Sequence, residues 1–575
     1  MYQDNHMKIQ DLVKSILPSY DDPYVKQHNA NTEFVPSSSS TENILHDLIW
    51  PMTSFHIISN ILDTNDSYQR IVASLGDKCW DKSDHREAKG LGEGWAKYLN
   101  SKGKEPLPSE IHELLYNVFK QRRIPAPELE LNVLLDEQEF MLSALKLLLA
   151  SDHCSKHIKK QLSRKNNNLI ELYVNRLKQQ GDLATLSTGS INGGTVHHKT
   201  MTPQSGISLN SLTHSLAYVK PGIECYTLKG RKSQNKGIYN VLILPWPLKI
   251  RRSNFKIDEH PPLKMDDTKF GFFSYENKNQ ITPEMIIYGI RAAIKETGYP
   301  DLVVIPECAI DSEHSSLIKS QLEELLTQLE IPKPVLIYGA YKPSQPDEFG
   351  ANYLELSYVD DFSGNYVYKD QPKHHRWALD RNQIINYKLG TILNPSKKWW
   401  ENCTIDSRKI LSYVDDNIHI CPLICEDLAR QDPIAPVVRA LGPSLVVALL
   451  LDGPQISARW PGKYASVLSE DPGSSVLSIS PYGMTQRSTG GNFPPSSEVA
   501  LWSDNFRTIP LELEDDCIGI SLVLEKAVLD QWSADGGRSP KDIFKYAGHL
   551  SVGCSTELDK ITTQKEEPAE KAELV

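Results

Sequence analysis

Apolar positions along this chain change their period twice. From Ile44 to about Ala184 they recur at helical spacing. Ser109 precedes Ile111, Leu114, Leu115, Val118 and Phe119, an i, i+3, i+4, i+7, i+8 stripe behind a good N-cap residue. Val133 to Leu149 predicts a denser helix carrying Phe140, Met141, Leu145 and Leu148. Ile158 to Leu177 predicts another, with Lys and Arg along its polar side. Such stripes are what the core of a helical bundle requires, and the basic face reads first as a solvated one. The period then vanishes. Ser187 to Ser208, STGSINGGTVHHKTMTPQSGIS, is rich in Gly, Ser and Thr and reads as a linker. His197 and His198 lie in it, with no Cys or carboxylate at ligand spacing to make a metal site.

Beyond the linker, short β-rich runs alternate with helical ones. Val241–Leu244, Leu302–Ile305, Val335–Tyr338, His419–Cys425, Leu445–Leu450, Val476–Ser480 and Ile518–Val523 read as strands. Pro283–Lys295, Ser316–Leu329 and Pro433–Leu441 read as helices. Tyr353–Val359 and Tyr366–Tyr368 alternate around Gly364 like a hairpin. This alternation predicts an α/β layered domain with buried central strands. The expected organisation is a weakly ordered N-terminus (1–43), a mainly α-helical domain (44–186), a linker and lead-in (187–235), an α/β domain (236–530), and a C-terminal extension with a disordered tail (531–575). The tail after Cys554 is charged and lacks aromatics.

Composition narrows the class. The chain has 575 residues, too many for one ordinary domain, and 40% are hydrophobic, a normal globular share. A net charge of −11 disfavours a general nucleic-acid coat. The longest dense apolar run, Leu445–Leu451, is far short of the roughly 20 residues that span a bilayer. The first residues, MYQDNHMKIQ, lack a basic n-region followed by an apolar core, so no signal peptide is expected, and nine irregularly spaced cysteines do not read as a disulfide framework. A cytoplasmic protein with reduced thiols is expected. Neither a Walker A loop nor a dinucleotide fingerprint is found, so no nucleotide cofactor and no metal is expected.

In α/β layers, ligands gather beyond the carboxyl ends of strands. Pro306-Glu307 follows Leu302–Ile305. Cys425-Glu426-Asp427 follows the strand ending at Ile424. Lys369 and then Pro372-Lys373-His374-His375 follow Tyr366–Tyr368. Each alone is unremarkable, since a lone strand-end Cys is usually core and a lone Glu usually surface. Together they form a working set. Cys425 is the nucleophile, Glu307 takes its proton, and Lys373 steadies the oxyanion that forms on a carbonyl or nitrile.

In this order the residues resemble the nitrilase superfamily of carbon–nitrogen hydrolases. The matching stretches are LVVIPE (Leu302–Glu307), GNYVYKDQPKHH (Gly364–His375) and PLICEDLAR (Pro422–Arg430). The resemblance covers roughly Gly237 to Glu525. It implies a four-layer α-β-β-α sandwich and a site of Glu307 as general base, Lys373 as the lysine and Cys425 as nucleophile, with Asp427 and Arg430 steadying the turn. It also implies a thiol-dependent amidase, nitrilase or carbamoylase with a thioester-type intermediate, a small amide, nitrile or carbamoyl substrate, and a homodimer or higher homo-oligomer. The alternative is a catalytically silent scaffold or binding protein. Nitrilase-like domains fused to bacterial reverse transcriptases in phage defence suggest an antiviral context for either reading.

The sequence departs from the family pattern in several places. The Lys373–Cys425 spacing of 52 is long and implies an insertion around Lys397 to Arg408. The family's second glutamate after the lysine has no equivalent in ALDRNQIINYKLG, where Asp380 or Gln383 would have to serve. Lys369 competes with Lys373. Glu426 places a negative charge beside a thiol that should ionise, which a cationic substrate group would explain. Tyr358-Val359-Asp360-Asp361 and Tyr413-Val414-Asp415-Asp416 both spell the YVDD box of reverse transcriptases, but two copies without a third metal aspartate read as turns. Trp399-Trp400 reads as a packed pair rather than a pocket mouth.

Overall fold

The computed structural model describes residues 7–17, 48–101, 105–119, 130–158, 185–231, 237–278, 280–361, 363–488 and 494–563. The chain divides into two compact units. One comprises Met1–Thr227, Pro436–Gly442 and Leu529–Lys541, and the other comprises Leu228–Ala435, Pro443–Val528 and Asp542–Val575.

The first unit is mainly helical. Helices Pro51–Asp63, Lys82–Asn100, Ser109–Phe119 and Gln138–His157 bury one continuous apolar core containing Phe55, Trp95, Ile111, Phe140 and Leu148. Asp81 caps the second of these, accepting from the backbone N–H groups of Ser83 and Asp84. The expected helix from Val133 to Leu149 breaks at Glu137, whose backbone is extended. Leu131–Asp136 and Gln138–His157 are therefore separate helices. The basic helix expected over Ile158–Leu177 falls, past residue 158, outside the described residues. At the N-terminus, where weak order was expected, Ile9–Ile16 is a helix with Ile9, Val13 and Ile16 buried.

Composition misleads over the Ser/Thr-rich linker. Thr195–His198 pairs antiparallel with Leu216–Val219. Its hydroxyls bond to side chains inside the unit: Ser187 Oγ meets His56 Nδ1 at 2.9 Å and Thr188 Oγ1 meets Thr53 Oγ1 at 2.7 Å. His197 is fully buried, with its ring nitrogens 2.8 Å from Thr227 Oγ1 and 2.9 Å from Thr195 Oγ1.

One carboxylate organises this region. Asp152, on helix Gln138–His157, accepts backbone N–H bonds from His214 at 2.8 Å, Ser215 at 2.8 Å and Leu216 at 2.7 Å. Burial pulls the ammonium of Lys199 down to about 7 and that of Lys541 to about 8, and the Asp152 charge opposes both shifts. Replacing Asp152 with Ala strands three backbone donors, two of them buried and one partly buried. It should lower the stability of the full chain by about 3 kcal/mol or more, read as a fall in the urea midpoint of the affected transition. An unchanged midpoint would contradict this.

The second unit is a four-layer α-β-β-α sandwich. Sheet A runs, in spatial order, Tyr366–Pro372, Ala351–Val359, Val335–Lys342, Leu302–Asp311, Ile238–Ile243, Gly519–Trp532, Arg538–Val552. Sheet B runs Thr508–Glu512, Glu498–Ser503, Ser475–Ile479, Leu445–Leu449, His419–Ile424, Lys409–Val414, Glu224–Lys229. The central strands are almost wholly buried because both faces are covered. Between the sheets, Tyr358 meets Tyr413 edge-on with ring centroids 5.5 Å apart, and Gln371 donates from Nε2 to the Pro422 carbonyl at 3.2 Å. Helices Pro283–Thr297 and Ser312–Gln328 pack on the outer face of sheet A, and Trp460–Glu470 on sheet B. A third, small sheet joins Ala378–Leu379, Lys398–Glu401, Phe270–Tyr275 and Phe255–Asp258.

Beyond residue 530 the structure again differs from expectation. The chain completes the last two strands of sheet A and then forms helix Ser555–Thr563, which buries Leu558. Leu558 and Ile561 give this charged stretch one apolar edge, enough to dock it. Residues 564–575 lie outside the described residues. No described helix is long and apolar enough to cross a membrane.

Candidate functional site

Glu307 sits inside the strand Leu302–Asp311, where the ladder is irregular. Cys308, the next residue, has φ 51°, and the pairing with Val335–Lys342 shifts register between Tyr338 and Ala340. Gly339 makes this possible. A Cβ there would lie 2.4 Å from the Glu307 Cα and from the Pro306 carbonyl oxygen. The distortion holds the carboxyl of Glu307 in a fully enclosed position, 1% exposed.

Lys373 follows the edge strand Tyr366–Pro372 and is 0% exposed. Its backbone N–H donates to the Asn352 carbonyl at 2.9 Å. Its Nζ donates to Glu307 Oε1 at 2.7 Å and to Glu401 Oε2 at 2.6 Å. Lys369, the competing lysine, lies mid-strand opposite Leu356 and is half-buried.

Glu401 is the residue that sequence reasoning missed. It ends the short strand Lys398–Glu401, inside the insertion expected around Lys397–Arg408. Its Oε2 also accepts from the Trp377 N–H at 3.0 Å, and its Oε1 accepts from Asn352 Nδ2 at 2.6 Å. Asn352 Nδ2 donates as well to Glu307 Oε1 at 2.8 Å. Asp380 and Gln383, the expected substitutes, instead cap helix Arg381–Asn386 reciprocally at the surface. The long Lys373–Cys425 spacing was the one signal that could have pointed to Glu401.

Cys425 starts a tight turn directly after the strand His419–Ile424. Its φ is 43°, a strained conformation for a residue with a side chain, and it is 2% exposed. Asp427 steadies the turn by accepting from His374 Nδ1 and His375 Nδ1, both at 2.9 Å. Burial alone would raise the Asp427 carboxyl, but these histidine bonds hold it below its ordinary value. Glu426 needs no cationic substrate group to explain it, because it pairs with Arg430 of the same chain.

The electrostatics suit proton transfer. Burial pushes the Cys425 thiol well up, the Glu307 charge adds to this, and Lys373 opposes it. The resting thiol is therefore protonated. Burial raises the Glu307 carboxyl too, with Lys373 opposing and Glu401 adding to the rise. Burial disfavours the Lys373 ammonium, but the two carboxylates outweigh that and hold it charged.

Glu307, Cys308 and Glu401 bring ligand atoms within 4.8 Å of one another, as a metal site would among the described residues. Lys373 already supplies the positive charge to both carboxylates there. The YVDD aspartates do turn work. Asp415 accepts from the N–H groups of Asn417 and Ile418, and Asp360 from that of Ser363. Trp399 is buried and donates to the Asn394 carbonyl at 2.9 Å.

No protein-family model and no curated protein matches the chain. Among solved structures it is similar to members of the nitrilase superfamily. The NitN amidase from Neterenkonia sp. AN1 is 13% identical, covering 52% of this chain and 94% of that one, with a TM-score of 0.30. Saccharomyces cerevisiae Nit3 is 12% identical, covering 60% and 100%, with a TM-score of 0.26. The C. elegans NitFhit protein is 10% identical, covering 58% and 64%, with a TM-score of 0.25. Likenesses this distant carry no weight about activity, which has to be read from the residues of this chain.

Proposed function

We propose that the chain is a thiol-dependent hydrolase of non-peptide carbon–nitrogen bonds, acting on a small amide, nitrile or carbamoyl compound. The observation that carries this reading is the fully buried Glu307–Lys373 contact, whose charges act on Cys425 in its strained turn.

For an amide, Cys425 Sγ attacks the carbonyl carbon as its proton passes to Glu307. A C–S bond forms and the carbonyl π pair moves onto oxygen. A Lys373 ammonium has three N–H donors, two of them engaged with Glu307 and Glu401, so the third can meet that oxyanion. Collapse breaks the C–N bond, and the proton on Glu307 goes to the departing nitrogen. Water then attacks the thioester while Glu307 takes its proton. Collapse breaks the C–S bond, Glu307 returns its proton to the Cys425 sulfur, and the carboxylic acid product leaves. Glu401 and Asn352 keep Lys373 and Glu307 in register throughout.

The test is a metabolite mixture incubated with the intact protein and with Cys425→Ala, followed by mass spectrometry. A hydrolysis product formed by the intact protein alone supports the reading. Identical product profiles across a broad amide and nitrile panel would favour the silent scaffold instead.

A further inference from the structure

The buried acceptors with no hydrogen-bond partner among the described residues include Glu307 Oε2, Asn352 Oδ1 and Asp452 Oδ2. The first two belong to the machinery above. Asp452 does not, yet its charge acts on the Cys425 thiol. It lies just past the carboxyl end of Leu445–Leu449, the strand next to the one that leads into Cys425.

Its other carboxylate oxygen is held firmly. Asp452 Oδ1 accepts from Tyr387 Oη, and from Arg459 Nη2 at 2.7 Å. Arg459 Nη2 also lies 3.1 Å from Tyr387 Oη, and the Gly453 N–H donates to Tyr387 Oη at 3.2 Å. The Asp452 N–H donates to Ser480 Oγ at 2.9 Å. Burial and the neighbouring Asp452 push the Tyr387 phenol up, so it remains a donor. The side chain is thus fixed through one oxygen while the other, in a residue only 5% exposed, is left unmatched. A buried carboxylate oxygen without a donor is costly, and such a group persists where a ligand supplies the donor.

We propose that Asp452 recognises an amino group on the acyl part of the substrate, so that the site favours amides of amino-bearing acyl groups over carboxylate-bearing ones. An ammonium there gives Asp452 Oδ2 its missing donor, whereas a carboxylate would face an acceptor. This assignment rests on the reading of Cys425 as the nucleophile.

The test reads binding apart from turnover. Glycinamide, its neutral isostere propanamide and the acidic succinamate are titrated into Cys425→Ala and followed by ligand-observed NMR. Glycinamide should bind about tenfold tighter than propanamide, the worth of one charge-assisted hydrogen bond, and succinamate weakest. In Cys425→Ala/Asp452→Asn the preference for glycinamide should disappear. Equal affinity for glycinamide and propanamide in Cys425→Ala overturns the proposal without recourse to the second variant, and so does a preference that survives Asp452→Asn. A preference that depends on Asp452 in a protein that hydrolyses no amide leaves Asp452 as a recognition residue and removes the hydrolase reading.

Discussion

Lys373→Met should both abolish turnover and destabilise the second unit. The ammonium is completely enclosed and bonded to two carboxylates, Glu307 and Glu401. Methionine fills a similar volume but leaves two buried acids with no cation between them. Stripping one partner from a buried ionic cluster costs about 3–5 kcal/mol, because the remaining charge cannot return to water. Proton uptake by the acids offers the only relief, and it fixes the sign of the pH dependence. Burial already raises the Glu307 carboxyl above its unfolded value, and removing Lys373 takes away what opposes that rise. A carboxyl raised in the folded state binds more protons than in the unfolded chain, so stability falls as pH increases through that interval. Urea midpoints of Lys373→Met should therefore lie below those of the unaltered protein, and further below at pH 8 than at pH 5.5. Equal midpoints at both pH values would mean that the cluster is not an ionic one.

Glu307→Gln should reduce kcat/KM by about 10²–10⁴, the usual range for losing a positioned general base. The glutamine keeps the size of the side chain and can still bond Asn352 and Lys373, so the fold should persist. What disappears is the capacity to take the Cys425 proton, and the raised thiol cannot lose it unaided. On the proposed mechanism, activity of the unaltered protein requires Glu307 ionised. It should fall with decreasing pH at values above the ordinary carboxylate range, because burial raises this group. That acid limb should be missing in Glu307→Gln, and alkylation of Cys425 should slow in parallel. A variant that retains both the rate and the limb would remove Glu307 from the role of base.

The contrast between Glu307 and Glu401 marks where local reasoning stops. Glu307 lies in an apolar stretch whose pattern announces a strand, although that strand runs past it to Asp311. Glu401 lies in an insertion with no strong period, on a four-residue strand of a separate small sheet. Its role comes from Lys373 and Asn352, which are 28 and 49 residues away in the chain. Asp380 stood closer in sequence and had the right chemistry, but a helix start claimed it as a cap. The Ser/Thr-rich stretch around His197 failed in the opposite direction. Its polarity suggested solvent, whereas its hydroxyls bond to one another and to the backbone within the unit.

The sequence alone determined the alternation of buried strands and helices, the change to a helical unit upstream, and the places of Lys373 and Cys425 just past strand ends; Glu307 lies within its strand, which runs on to Asp311. Those follow from local period and turn chemistry, which neighbouring residues set for one another. Tertiary structure decided which lysine meets Glu307 and which distant glutamate and asparagine join them. Burial and pairing across sheets fix these outcomes, and neither depends on distance along the chain.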